Sequence, residues 1–350
     1  MDNPNKKRVL FVHYLEDIGG GERYVVNVIN ALEAYCQVYI LTPNDNSKLK
    51  EALNSSVIKF SKKFSRNLGP FPAFSMSLFW SVYRIVKDNN IDTLHINDHY
   101  LLLSILPLKY FLNVNIVFTS HGKWDIYFLI NRVILNILNP KVIVATPIQF
   151  FRLNSLVKDV KLLPFFTKTV KQTLRNIQSR HIRIGVVGRF SPVKNHKLAF
   201  DIISSLDERY QLHIIGGKTL TIAEETIEYE QDILDKIGQN DKIHYHGFIE
   251  NLDNIYANID ILLVSSHSES FSFSTIEALS FGIPVVSTMT EGSSYIIQSG
   301  YNGYICSGTE EFKSAIKEIV AQYRKFSDNA YESSNRYEEK IYIKDLLNIY

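Results

Sequence analysis

The sequence predicts an α/β protein of two domains, each a parallel sheet covered on both faces by helices. Three observations carry this. Short runs rich in Val, Ile and Leu alternate with longer helical patterns, as they do when strands are buried on both faces of a parallel sheet. The same alternation restarts at residue 183, after a polar and basic stretch at 164–180. Residues 261–288 then spell one complete unit: an apolar strand, a Ser-rich loop, a helix, and a second strand entered through Gly282 and Pro284. At 350 residues the chain can build two moderate domains, each with its own core.

The elements follow in order. Residues 8–13 read as a strand, followed by the glycine run Gly19, Gly20 and Gly21. A helix over 22–34 places Val25, Val26, Val28, Ile29 and Leu32 at core-face spacing. Strands are expected at 37–41, 57–60, 93–96, 115–119, 142–145 and 160–163. In the second half a strand at 183–187 leads into the loop 188–196 and a helix from 197. Further strands are expected at 211–215, 243–245, 261–264, 284–287 and 304–306. The helix between 221 and 237 is strongly acidic and reads as exposed. Residues 331–350 read as one final helix, with Tyr337, Ile341, Ile343, Leu346, Leu347 and Tyr350 apolar. The predicted domains are 1–168 and 169–330, and no sequence repeat links them.

Composition excludes several classes. Hydrophobic content of 45% and charged content of 21% are those of a globular enzyme. The first residues run straight into a strand, so no secretory leader is expected, and Cys36 and Cys306 form no metal-ligand pattern. Sparse cysteine points to a reducing, cytoplasmic setting. The most apolar run, 101–118, is interrupted by Ser104 and Lys109 and does not suit a membrane span. The net charge of +2 hides an asymmetry. Residues 1–168 carry 20 Lys and Arg against 12 Asp and Glu, while residues 169–350 carry 18 against 24. A basic first half suggests an anionic membrane surface or an anionic, lipid-linked substrate. No recognised nucleic-acid module is present, so no nucleic-acid partner is expected.

The chemistry concentrates around Glu269 and Glu277, eight positions apart. A loop between a parallel strand and a helix lies at the carboxyl edge of the sheet, where open α/β folds bind ligands. Ser270, Phe271, Ser272 and Phe273 bring backbone N–H groups to a helix start, which favours an anion, and a Ser or Thr there can cap the helix. Glu277, expected in or near the first helical turn and facing the same crevice, can accept two vicinal hydroxyls, as on a ribose. Arg189 and Lys194 follow the strand that ends in Gly188, and two cations at that spacing can reach one diphosphate.

The stretch from Glu269 through Glu277 to Gly282, Pro284 and Val286 resembles the Glu-x7-Glu signature of retaining glycosyltransferases of family 4, which have the GT-B fold. Ser270 and Ser272 stand where the usual pattern has glycine, and Tyr295 stands where many relatives have a carboxylate. The run from Gly188 and Arg189 to Lys194 is similar to the cationic element of the same family. The resemblance implies two Rossmann-like domains with parallel sheets facing a central cleft, and a last helix crossing back to the N-terminal domain. It implies a hexose-type sugar carried by UDP or GDP on the C-terminal domain. The acceptor, a glycan or a lipid-linked molecule, would sit on the N-terminal one. Glu269 would orient sugar hydroxyls or stabilise developing positive charge, and domain closure would bring His121 to the transferring sugar.

Gly20 and Gly21, after the first strand, resemble the family's Gly-Gly-x-Glu loop, in which the backbone approaches donor or acceptor; such a run is also common in plain turns. Asp98 and His99 follow a strand and are candidates for touching acceptor, while His95 is expected to face the core. Gly292 and Ser294 are candidates to line the donor pocket. The chain contains no Asp-x-Asp, so neither a metal nor a cofactor is expected, the cations and helix start doing the metal's work. Lys59, Lys62, Lys63 and Arg66, followed by Phe71, Phe74, Phe79 and Trp80, suit peripheral contact with an anionic membrane, at the inner face of the cell membrane. A Tyr-, Ile-, Asn- and Lys-rich composition fits bacterial surface-polysaccharide synthesis. A sugar-nucleotide epimerase on the same fold, or a non-catalytic partner subunit, remain alternative readings.

Overall fold

The computed structural model describes the chain except residues 1–5, 15–19, 44–50, 65–66, 69–70, 123–124, 126–128, 169, 171–176, 178–180 and 218–223. It divides into two compact units, Met1–Phe165 with Lys340–Tyr350, and Phe166–Glu339.

In the first unit the strands are β1 (Arg8–Val12), β2 (Gln37–Thr42), β3 (Ile58–Ser61), β4 (Thr93–Ile96), β5 (Asn115–Thr119), β6 (Lys141–Val144) and β7 (Asp159–Leu162). They form one sheet in the order β3-β2-β1-β4-β5-β6-β7. Every pairing is parallel, with Val9 opposite Val38 on one side and Thr93 on the other. All carboxyl ends therefore share one edge, and each strand end there starts a loop. The covering helices are α1 (Gly20–Leu32), α2 (Met76–Asp88), α3 (Leu129–Leu138) and α4 (Pro147–Asn154). In α1, Val25, Val28, Ile29 and Leu32 are fully buried as expected. Val26 is only half-buried, and Tyr24, read as nothing in particular, is 1% exposed.

The second unit has β8 (Ile182–Val187), β9 (Tyr210–Ile215), β10 (Ile243–Tyr245), β11 (Ile261–Val264), β12 (Val285–Thr288) and β13 (Gly303–Cys306), in the order β10-β9-β8-β11-β12-β13. These pairings too are all parallel. Its helices are α5 (His196–Ser205), α6 (Glu224–Ile237), α7 (Leu252–Ala257), α8 (Phe273–Ser280), α9 (Glu291–Ile296), α10 (Thr309–Ala321) and α11 (Tyr323–Ser334). The acidic helix α6 is not simply exposed: Ile233 is fully buried and Glu230 nearly so. A sheet with helices on both faces has room to bury one stripe of even a charge-rich helix.

The single final helix expected over 331–350 is two helices. α11 ends at Ser334, a tight turn spans Asn335–Tyr337, and α12 runs Glu339–Ile349. The break has a packing cause. Tyr337 is 1% exposed inside the second unit, its ring 6.1 Å from that of Phe271, and its carbonyl accepts the Thr167 amide. Tyr342 is 2% exposed inside the first unit. One straight helix cannot bury both.

The helix α12 is held in the first unit by a buried polar network. The hydroxyls of Tyr342 and Tyr24 share a hydrogen bond at 2.5 Å, and Tyr24 reaches the Thr119 hydroxyl at 3.3 Å. His95 bonds Thr119 at 2.7 Å and the Tyr350 hydroxyl at 2.5 Å, and its ring stacks on Phe11. Lys141 Nζ donates to the Ile349 carbonyl. Its tyrosines and His95 are uncharged in place, because burial pushes Tyr24 up to about 12, raises Tyr342 and Tyr350 as well, and lowers His95 to about 3.

Candidate functional site

In the second unit two loops meet at the carboxyl edge. The strand β8 ends at Val187, and the residue after β9 comes so close to Gly188 that a Cβ on Gly216 would lie 1.7 Å from the Gly188 carbonyl oxygen. Only glycine permits that approach. A short turn, Pro192–Lys194, then lifts Lys194 toward the loop after β11. The two loops are stitched together by backbone. The His267 amide donates to the Val193 carbonyl at 2.8 Å, and the Ser265 hydroxyl donates to the Lys194 carbonyl at 2.9 Å.

That stitching brings together two side chains that are 75 residues apart. Lys194 Nζ donates to Glu269 Oε1 at 2.6 Å, and the Ser266 hydroxyl donates to the same oxygen at 2.8 Å. The side chains are 28% and 13% exposed, so the pair is shielded without being sealed. Behind Glu269, its carbonyl accepts the Gly292 amide at 2.9 Å. Gly292 is pressed against the loop, since a Cβ there would lie 2.9 Å from Ser272 N. Arg189 is exposed, and among the described residues it has no partner.

The helix α8 starts where it was expected, but its cap is unusual. Ser272 occupies the N-cap position, yet its hydroxyl bonds none of the first-turn amides. It accepts instead from the Thr275 hydroxyl at 2.8 Å. The first amides of a helix have no intrahelical partner, and here the N-cap side chain meets none of them. Phe271 is buried and its ring packs on Phe273 at 5.8 Å. Glu277 lies just past the first turn of α8, close to where it was expected. It is 4% exposed, and the Tyr256 hydroxyl donates to its Oε2 at 2.8 Å. Tyr256, on α7, has no motif around it and was legible only as a core aromatic.

The first unit gathers a different set at its carboxyl edge. Asp125 is 6% exposed and is the hub. Its Oδ2 accepts from the Ser120 hydroxyl at 2.6 Å, the His121 amide at 2.7 Å and the Gly122 amide at 3.2 Å. Its Oδ1 lies 2.9 Å from His99 Nδ1. Burial alone raises this carboxyl, but the His99 hydrogen bond and the Ser120 hydroxyl outweigh it, so it titrates below the ordinary carboxylate range. Burial holds His121 below the ordinary histidine value, with its ring edge-on to Tyr24 at 5.4 Å. Asp98 is spent locally: its Oδ1 accepts the Tyr100 amide at 2.9 Å and caps the turn that carries His99. Sequence reading named His99 and His121 but missed Asp125, which no motif marks.

Gly20 opens α1, and Gly19 lies outside the described residues. A Cβ on Gly21 would meet no atom of the chain within 4 Å, so the fold itself does not demand glycine there. His95 faces the core, as expected. Among the described residues no group of three or more His, Cys, Asp or Glu is placed to hold a metal.

Comparison with known proteins gives a consistent answer for both halves. Residues 18–187 match the model of glycosyltransferase family 4, and residues 170–339 match that of glycosyl transferases group 1. The O-antigen biosynthesis glycosyltransferase WbnH of Escherichia coli is 21% identical over 344 residues, 95% of either chain. The poly(glycerol-phosphate) alpha-glucosyltransferase of Bacillus subtilis is 26% identical over 216 residues, 56% of this chain and 31% of that one. Among solved structures, HepE of Anabaena in complex with UDP-glucose has a TM-score of 0.80 at 16% identity, covering 97% of this chain and 98% of that one. A glycosyltransferase of Rickettsia africae has a TM-score of 0.81 at 17% identity, covering 99% and 98%.

Proposed function

The chain belongs to the glycosyltransferases and has their GT-B fold, and from that premise we propose a retaining, metal-independent enzyme. It moves a hexose-type sugar from UDP or GDP to a glycan or lipid-linked acceptor, in the synthesis of a bacterial surface polysaccharide. The observation that carries this is the Lys194–Glu269 pair, set at 2.6 Å in the same unit as exposed Arg189 and the start of α8. WbnH, named for O-antigen biosynthesis, supports the pathway, and HepE, solved with UDP-glucose, supports the donor class.

In this reading the two cations and the first amides of α8 take the diphosphate. Their positive charge stabilises the negative charge that grows on the phosphate oxygen as its bond to the sugar breaks, a contribution of about 3–4 kcal/mol for one such donor. Glu269, held by Lys194 and Ser266, faces the sugar and orients its hydroxyls or stabilises charge at the anomeric carbon. Glu277, positioned by Tyr256, takes the ribose hydroxyls. His121 offers the sugar a neutral hydrogen-bonding ring.

The test is a thermal-shift screen of UDP- and GDP-sugars with a chelator present, followed by the anomeric configuration of the product. A ligand at 100 times its dissociation constant adds about 2.7 kcal/mol. Stabilisation by one sugar nucleotide with chelator, and a retained configuration, support the reading. Turnover that disappears with chelator and returns with magnesium overturns the metal-free part. An altered sugar nucleotide formed without acceptor assigns an epimerase instead, and no sugar-nucleotide binding at all leaves a non-catalytic subunit.

We also propose that the first unit rests on an anionic bilayer. Lys62 and Lys63 are exposed, and Phe74 (46% exposed), Trp80 (49%) and Phe111 (62%) project from neighbouring positions around Phe79. Leu129 and Val133 of α3 are exposed too. Arg66 lies outside the described residues, as does the side chain of Phe71. No helix among the described residues is long and apolar enough to cross a membrane. Flotation with anionic liposomes checks this, and unchanged flotation after Lys62→Glu with Lys63→Glu removes it.

A further inference from the structure

The loop that carries Lys194 turns a left-handed corner, and that corner is secured from another helix. Asn195 takes φ 49° and ψ 54°, a region that side chains enter only at a cost, though Asn bears it better than most. Asn195 is the N-cap residue of α5, yet its side chain makes no capping bond. The chain enters the corner well fixed. The Lys194 amide donates to the Ser191 carbonyl at 3.0 Å, and the Lys194 carbonyl accepts the Ser265 hydroxyl at 2.9 Å. The stem of Lys194 passes over Gly188, where a Cβ would lie 3.2 Å from Lys194 Cε. The chain leaves the corner through His196, the first residue of α5, whose amide has no partner inside its own helix.

That amide is met from 33 residues away. The Tyr229 hydroxyl, on α6, accepts it at 2.8 Å and lies 3.3 Å from Nδ1 of the same histidine. His196 is fully buried, and burial together with the nearby Lys194 lowers it to about 4, so its ring is neutral. The hydroxyl can therefore donate its proton to Nδ1 while it accepts from the amide. Tyr229 is itself held. Lys197 Nζ lies 5.9 Å from its ring centre and pairs with Asp232, one turn further along α6, at 2.8 Å. Ile233, fully buried, anchors α6 in the core. Phe190, also fully buried, closes the inner side, its ring edge-on to His196 at 5.2 Å.

We propose that Tyr229 is a positioning residue for the diphosphate site: by holding the His196 amide it fixes the corner at Asn195, and so keeps Lys194 aimed between Glu269 and the phosphates of the donor. The acidic helix α6 thus serves the site without meeting substrate. This role rests on the reading of Lys194 as a phosphate-binding cation.

The experiment is a double-mutant cycle on the full chain, with Kd for UDP and for GDP measured by titration calorimetry. Lys194→Met is expected to weaken the better-bound nucleotide about tenfold or more, the loss of one charged hydrogen bond. Tyr229→Phe keeps the ring and deletes the hydroxyl, and is expected to weaken the same nucleotide about fivefold. In the double variant that second loss should vanish, because no ammonium is left to aim. A tyrosine that only stabilises the fold would cost the same factor in either background. Circular dichroism at the assay temperature shows that each variant is folded. Tyr229→Phe binding as wild type does, while Lys194→Met is weakened, overturns the positioning role and leaves the donor reading standing. Losses that multiply in the double variant overturn it too. If the wild-type chain binds neither nucleotide, or Lys194→Met binds both as wild type does, the donor reading falls and this role falls with it.

Discussion

The two units present their carboxyl edges in opposite electrical states. In the second, Lys194 and Glu269 form a charged pair at 2.6 Å, supported by Ser266, beside exposed Arg189. In the first, Asp125 is wrapped by His99, Ser120 and the amides of His121 and Gly122, and among the described residues His99 Nε2, His121 Nε2 and the Asn97 amide are buried without a hydrogen-bond partner. Charge that is paired but accessible can be handed to an anion. The difference lies in the loops, since the main sheet of each unit is parallel throughout.

The largest expected effect breaks the charged side. Lys194→Met keeps the length of the side chain and deletes its ammonium. It is expected to lower kcat/KM by about 10² to 10³, the cost of removing one transition-state donor. Rates within threefold of wild type would show that the pair only staples two loops together.

A smaller effect comes from pH and separates the units by their buried histidines. Burial lowers His95 to about 3 in the folded first unit, against about 6.5 when unfolded. The sign follows. Above pH 6.5 the ring is neutral in both states and contributes nothing. Between 6.5 and 3 the unfolded chain binds a proton that the folded one refuses, so stability falls as pH falls, by at most about 1.4 kcal/mol per unit. In the second unit, His196 is lowered to about 4 by burial and by Lys194, so its window is shorter. Hydrogen exchange of β4 and β5 should therefore accelerate on acidification from pH 6 to pH 4, and His95→Gln should flatten that dependence. An unchanged slope in the variant would place the acid-sensitive group elsewhere.

The comparison also explains what the sequence could and could not show. The charged side was legible because its parts fall in short motifs, Gly188 to Lys194 and Glu269 to Glu277. Their meeting was not legible, since it depends on backbone bonds between Val193 and His267. Tyr256 was invisible as a partner of Glu277 because it sits 21 residues upstream and belongs to no motif with it. The neutral side was half legible. His99 and His121 stand out at strand ends, but Asp125 matters through three hydrogen bonds to its own loop and one to His99, which no spacing rule joins. The final helix was misjudged as one piece for a related reason. Tyr337 was read in one apolar set with Ile341, Ile343, Leu346, Leu347 and Tyr350, and only tertiary packing puts Tyr337 in the second unit and the residues after Glu339 in the first.

A change in the polar network that docks α12 should be felt in the first unit alone. Tyr342→Phe removes one hydroxyl and leaves Tyr24 its 3.3 Å contact with Thr119. The expected loss is about 1 kcal/mol, a typical net value for one buried hydrogen bond. Hydrogen exchange that quickens in β5 and not in β11 would show it, whereas equal acceleration in both would mean that the two units open together.

The smallest expected effect is the most discriminating, because it separates what the fold needs from what a ligand needs. Gly21 lies in the first turn of α1, and an added Cβ meets no chain atom within 4 Å. Alanine also loses less backbone freedom than glycine on folding. Gly21→Ala is therefore expected to raise stability by about 0.4–1 kcal/mol. If the glycine exists so that a substrate can approach the backbone, the same methyl group must obstruct it, and turnover should fall while the melting temperature rises. A variant that gains stability and keeps full activity would mean that no substrate touches this turn. The first unit's contacts would then rest on the loops after β4 and β5 alone.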